Sequence, residues 1–234
     1  MIDLYALTSP NIVKIFIALE ELELPYNIIP IDVWKGDQFT PEFTRLNPNR
    51  RIPVIVDHEG PGGKPYTVLE SGAILLYLAD KTGRLLPADK AQRLDVIQGL
   101  MVQMASLGPM CGQLVHFRRF APQEGNAYAL GRYTSEVNRL FDLYETRLAA
   151  QPFAGGSEYT IADIAAFPWL RYTEILGISL DKRPHLALWL ETMNSRPAVQ
   201  RALAKVGAIT STRDTASDDD KDRFFNRGKY ARAS

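Results

Sequence analysis

Two nearby stretches read Ile52-Pro53-Val54-Ile55-Val56 and Thr67-Val68-Leu69-Glu70-Ser71-Gly72-Ala73-Ile74-Leu75-Leu76-Tyr77-Leu78. Between them lies Gly60-Pro61-Gly62-Gly63. Short β-branched runs on either side of a Gly/Pro cluster predict an antiparallel pair of strands, Pro53–Val56 and Thr67–Leu69. Ser71 is a preferred helix-capping residue, so it opens a helix over Gly72–Lys81, which Gly83 closes.

Upstream, Ile2–Leu7 is β-prone, and Ser9-Pro10-Asn11 carries the serine and proline of a helix start. Ile12, Ile15, Phe16, Leu19 and Leu22 then fall on one helical face. Tyr26–Val33 reads as a strand, a polar stretch around Gly36-Asp37-Gln38 follows, and Pro41–Leu46 is weakly helical. The order β-α-β-α-β-β-α predicts a thioredoxin-like α/β domain over residues 1–82.

Downstream of Leu85-Leu86-Pro87 the strand signals stop. Ala91–Leu107 reads as a helix with a break at Gly108-Pro109. Val137, Leu140, Phe141, Tyr144 and Leu148 give a second apolar stripe. Thr160-Ile161-Ala162-Asp163 resembles a capping box opening a helix towards Ile175, and shorter helices are expected at His185–Asn194 and Pro197–Val206. Residues 83–210 therefore form an all-helical domain. Residues 211–234 read as a polar, unpatterned tail, mobile in part. Phe224, Phe225 and Tyr230 are unusual there: either the tail is solvated, or its end folds back over the cleft and shapes the pocket for a bulky substrate.

The 234 residues carry 27 basic and 27 acidic side chains. No net field attracts nucleic acid or an anionic membrane, so neither is expected as a partner. The start, Met1-Ile2-Asp3-Leu4, lacks the basic region of a signal peptide, and no apolar run approaches the ~20 residues of a spanning helix. A single cysteine, Cys111, excludes disulfides within the chain and a Cys-rich metal centre. The three histidines show no ligand spacing. A cytoplasmic protein without a metal is the expectation.

The local sequences sharpen the fold reading. Asn49-Arg50-Arg51-Ile52-Pro53, Glu70-Ser71 with its helix, Thr160-Ile161-Ala162-Asp163 and Ser195-Arg196-Pro197 occur in the order found in the cytosolic glutathione transferases, and the chain resembles that family over residues 1–206. Ser9-Pro10-Asn11, Gly36-Asp37-Gln38 and Leu107-Gly108-Pro109-Met110 with His116-Phe117 are similar to the bacterial Nu class, to its disulfide-bond reductases and to the yeast nitrogen-regulation protein. The resemblance implies glutathione as co-substrate and a homodimer. It also implies an enzyme that transfers glutathione to a small electrophile, aryl ethers included, or reduces a disulfide. A non-catalytic, partner-binding relative is the alternative.

Where thioredoxins carry Cys-x-x-Cys, this chain has Ser9-Pro10-Asn11-Ile12. It lacks a dithiol there, so thiol chemistry must use a bound thiol. A helix N-terminus stabilises a thiolate by about 0.5–2 kcal/mol, and a hydroxyl donor adds about 1.5–3 kcal/mol. Ser9 is assigned as that donor, with Asn11 orienting the sulfur and Thr8 in reserve; the competing reading is that Ser9 only caps the helix. The resemblance implies a cis Ile52–Pro53 bond, with the Ile52 backbone presented to an extended tripeptide as to an added strand. It also implies Ser71 and Glu70 around the γ-glutamyl group, Gln38 and Arg51 completing the cradle, and Arg132 reaching the glutathione of a neighbouring subunit. His116-Phe117 and Trp169 with Tyr172 either line a co-substrate pocket or are buried structure, and Cys111 reads as a buried small residue.

Overall fold

The computed structural model describes residues 1–231, so Arg232–Ser234 of the expected tail lie outside the described residues. Strand β1 (Ile2–Ala6) alternates buried and half-buried side chains, as a strand against a core must. Helix α1 (Pro10–Glu21) buries the predicted stripe, and also Val13, Lys14, Ile17, Ala18 and Glu20. A helix covered on all sides is a core element. Strand β2 (Tyr26–Pro30) ends before the expected Val33. There the Asp37 carboxylate accepts from the Asp32 N–H (2.8 Å) and the Asp32 carboxylate from the Trp34 N–H (3.1 Å), which turns the chain into a loop.

Helix α2 (Pro41–Leu46) is capped by Thr40. Strands β3 (Val54–Asp57) and β4 (Tyr66–Leu69) pair antiparallel, and helix α3 (Ser71–Thr82) follows. The sheet order is β2-β1-β3-β4, with β1 parallel to β2 and antiparallel to β3. This is the thioredoxin-like arrangement that the element order predicts.

The helical part begins with α4 (Lys90–Val102). The expected break at Gly108-Pro109 is absent. A π-turn over Gln103–Leu107 carries the chain into α5 (Gly108–Arg119), the Gly108 N–H bonding to the Gln103 carbonyl. Pro109 has no N–H and crowds the preceding turn; one wider turn accommodates it without ending the helix. Helix α6 (Ala127–Ala150) buries Val137, Leu140, Phe141, Tyr144 and Leu148, the stripe read from sequence. Helix α7 (Ile161–Leu170) opens on the Thr160–Asp163 capping box but stops short of Ile175. The short α8 (Thr173–Leu176) ends at Gly177, in the left-handed region. Helices α9 (Pro184–Ser195) and α10 (Pro197–Gly207) follow.

Contacts divide the chain into two units. Residues 78–200 form one; residues 1–77 together with the segment from Arg201 onward form the other. Inside that second group Arg201 and Lys205 of α10 bind Glu20 of α1 at 2.8 and 2.5 Å. Burial pushes the Glu20 carboxyl up, but hydrogen bonds from Lys205, Arg201 and Tyr26 outweigh it and hold it at about 2. The polar stretch after Ser211 is not unpatterned. Ser217 and Asp220 form a capping box that opens α11 (Asp218–Phe225). Phe224 and Phe225 pack on Trp34, with ring centres 4.5 and 6.0 Å away, and the Arg223 guanidinium lies over Phe39. Gly36, at φ +90°, leaves room for Arg223, whose Nη1 would stand 2.8 Å from any Cβ added there.

Candidate functional site

The start of α1 is fixed by Ser9, in extended backbone, whose Oγ accepts from the Ile12 N–H at 3.3 Å. Ser9 therefore caps α1, and the cap does not exclude the donor reading. Capping uses a lone pair of the hydroxyl and not its proton. No acidic residue stands in the first turn of α1, so the positive end of the helix is not neutralised from within. Thr8, Ser9 and Asn11 are all half-buried.

The loop before β3 is organised by an asparagine that the sequence reading did not select. Asn47, 1% exposed, donates from Nδ2 to the Arg51 carbonyl at 2.7 Å, and its Oδ1 accepts from the Asn49 N–H at 2.9 Å. Arg50 sits at φ +54° and the Ile52–Pro53 bond is cis. Strand pairing begins only at Val54, which leaves Ile52 beyond the register of the sheet. Arg51 is exposed, its guanidinium near the Arg50 carbonyl.

Glu70 occupies φ +68°, a conformation that costs a non-glycine residue about 1 kcal/mol or more. Its carbonyl takes the Ile74 N–H at 2.9 Å, the first bond of α3, and its exposed carboxylate accepts from Asn49 Nδ2 at 3.2 Å. Ser71, the first residue of α3, is 4% exposed, and its Oγ accepts from Lys14 Nζ at 3.2 Å. Lys14 lies one turn after Asn11 on α1 and is 1% exposed. Burial pulls its ammonium down to about 7, with the Glu70 carboxylate acting in the opposite direction.

Hydrogen bonds join Lys14 of α1 to Ser71, and the adjacent Glu70 through Asn49 and Asn47 to Arg51. Gln38 and Arg132 lie outside this set. Gln38 is fully buried; its Nε2 donates to the Val33 carbonyl at 3.1 Å and its Oε1 has no protein partner. Arg132, near the start of α6, is exposed and lies 3.6 Å from Glu136. Sequence reasoning missed Lys14, Asn47 and Asn49. Lys14 did leave a signal: a lysine inside the apolar run Ile12–Leu19, with no polar face for it to join.

In the helical unit His116, Phe117 and Tyr133 form a half-buried aromatic group, Phe117 stacking on Tyr133 with centres 5.4 Å apart. Trp169 is nearly buried beside Gly112. Burial pushes the Cys111 thiol up to about 12, which makes it an inert core residue. Among the described residues no group of three His, Cys, Asp or Glu side chains could hold a metal ion, and no helix is long and apolar enough to cross a membrane.

Comparison with known proteins decides the family. Residues 8–81 match the N-terminal domain model of glutathione S-transferases, and residues 107–197 match the C-terminal domain model. The disulfide-bond oxidoreductase YfcG of Escherichia coli is 47% identical over 206 residues, 88% of this chain and 95% of that protein. The chain belongs to the glutathione S-transferase family. A glutathione transferase family member from Pseudomonas fluorescens, solved with two glutathione bound, superposes with a TM-score of 0.82 at 44% identity, covering 86% of this chain and 92% of that one. The transcriptional regulator URE2 of Saccharomyces cerevisiae is 34% identical over 235 residues, 84% of this chain and 65% of the regulator. As a glutathione S-transferase family member the chain keeps the fold with Ser9 and Ile12 where a thioredoxin has its cysteines.

Proposed function

We propose that this protein is a glutathione-dependent enzyme that reduces disulfides or transfers glutathione to a small electrophile. The observation that carries the reading is the open start of α1. It has a capping serine with a hydroxyl proton still to donate and an unneutralised helix end, but no cysteine. Bound glutathione supplies the thiol that the chain lacks. Ser9 donates to the sulfur, Asn11 orients it and Thr8 stands in reserve. Ser71 and the N–H groups at the start of α3 hold the γ-glutamyl carboxylate, and Glu70 the ammonium beside it. The Ile52 backbone, outside the sheet register, pairs with the extended tripeptide, while Gln38 and Arg51 complete the cradle. The fit is supported by the positive φ of Glu70, because strained backbone of this kind concentrates at ligand sites.

The domain reading is kept: a glutathione-binding domain over 1–82, a helical domain over 83–210 and a tail from 211. The Nu-like motifs support a cytoplasmic homodimer in which Arg132 of one subunit reaches the ligand of the other. A second reading, a non-catalytic regulator, is favoured by the likeness to URE2. One experiment separates them: calorimetry with glutathione and glutathione disulfide, followed by turnover of hydroxyethyl disulfide and chlorodinitrobenzene. Binding with turnover is expected. Binding without turnover favours the regulator, and no binding of either form overturns both readings.

A further inference from the structure

The segment around α11 pairs its charges almost completely. Of the four described cations after Ser217, Lys221 binds Asp218, Arg227 binds Asp222 and Lys229 binds Asp219, while Asp220 serves the capping box. Arg223 alone forms no ion pair with a described residue. Its guanidinium lies instead 4.9 Å from the centre of the Phe39 ring, beside Gly36. Two more arginines come to the same place. The Arg50 guanidinium stands 5.8 Å from that ring, on a backbone held at φ +54°, and Arg51 follows it in the chain. Neither forms an ion pair with a described residue, and the Arg51 guanidinium donates to the Arg50 carbonyl at 3.3 Å. In a chain with 27 basic and 27 acidic residues, three such arginines are a local surplus of positive charge. Like charges gathered in this way repel, and an anion among them removes the cost.

We propose that Arg223, with Arg50 and Arg51, forms a carboxylate-binding subsite beside the Ile52–Pro53 segment, so that α11 is part of the ligand site. This rests on the proposed glutathione reading and adds to it a residue from the far end of the chain. The position of Arg223 is built: Phe224 and Phe225 anchor the helix on Trp34, and Thr212 Oγ1 donates to the Asp32 carboxylate at 2.7 Å. Contact with the Phe39 ring orients the guanidinium through its charge and leaves its N–H groups for an anion. A planar guanidinium takes a carboxylate through two parallel N–H bonds, which a lysine cannot do. An extended tripeptide paired with the Ile52 backbone, its γ-glutamyl end at Ser71, carries a second carboxylate at its glycyl end. That group and a carboxylate on the disulfide or electrophile are the two sources of the anion.

The test is calorimetry with glutathione and with its glycyl ethyl ester, on the parent protein and on Arg223→Met, which keeps an apolar stem and removes the charge. The parent is expected to bind glutathione about tenfold or more tighter than the ester. The variant should bind the two within about threefold of each other. A second arm compares turnover of dithiodipropionate, which carries carboxylates, with that of neutral hydroxyethyl disulfide. If the parent binds glutathione and the ester alike, but its kcat/KM preference for dithiodipropionate falls about tenfold in the variant, the subsite belongs to the co-substrate. Arg223→Lys should keep part of the preference in whichever arm carries it, because the charge stays and the paired geometry is lost. A variant that weakens glutathione and the ester equally, with its disulfide preference unchanged, makes Arg223 a packing residue and overturns the proposal. A variant that matches the parent in both arms overturns it too. In either case, parent protein that binds glutathione leaves the glutathione reading standing; parent protein that binds neither glutathione nor the ester ends both.

Discussion

The starts of α1 and α7 use the same device to opposite ends. Each has a Ser or Thr cap in extended backbone whose oxygen accepts from an N–H of the first turn. At α7 the device is closed. The Asp163 carboxylate accepts from the Thr160 N–H (3.0 Å) and hydroxyl (3.2 Å), the Ala154 N–H (2.7 Å) and Trp189 Nε1 (3.0 Å), and both capping residues are buried. At α1 the third helical residue is Ile12, so no carboxylate returns to the cap, and the serine stays half-buried. A closed cap is architecture; an open one leaves a donor and a helix end for a ligand. The residue types are nearly the same, and the difference lies in which atoms remain unused.

The largest effect expected from this contrast is at Asp163. Asp163→Ala leaves buried donors on Thr160, Ala154 and Trp189 without an acceptor, and should destabilise by about 3 kcal/mol or more. Thermal unfolding should begin roughly 10 °C lower, while the pH–rate profile of the remaining folded enzyme stays where it was. A shifted profile would mean that the two caps are not separate in function. Ser9→Ala should do the reverse. Loss of the cap costs about 1 kcal/mol, a fall of roughly 2–4 °C. The pH–rate profile of glutathione turnover should move up by about one unit, because the thiolate has lost a donor. An unmoved profile together with a lower melting temperature would reduce Ser9 to a cap and hand the sulfur to Asn11.

The smallest effect belongs to Ser217, whose capping box with Asp220 is exposed to solvent. Ser217→Ala should cost about 0.5–1 kcal/mol, confined to α11. Amide exchange over Asp218–Phe225 should speed up about threefold or more, with no change in β1 or β3. Unchanged exchange would show that Trp34 stacking, and not the cap, holds the helix in place.

Much of this was legible in the sequence because it is local. The α1 stripe, the Ser71 helix start, the antiparallel pair after Pro53 and the Thr160 box are each set within a few residues. Other features depend on neighbours far along the chain. Lys14 stands out in its apolar run, but its partner cannot be read there, because the bond to Ser71 spans 57 positions. The left-handed Glu70 has no sequence mark, since glutamate rarely adopts that conformation. Gly108-Pro109 signals a break by ordinary rules, and only the π-turn before it shows why the helix continues. The tail differs: Ser217-Asp218-Asp219-Asp220 carries a capping-box spacing that composition alone obscured.

The bond between Glu20 and Arg201 also bears on how the protein is made. The two residues stand 181 positions apart. On a ribosome adding about 5–20 residues per second, α1 is complete roughly 10–40 s before α10 emerges. Throughout that interval Glu20 lacks both of its cationic partners, and Trp34 lacks the rings that later pack on it. The first domain to be synthesised is thus among the last to be finished, and an intervening helical unit must be accommodated while it waits.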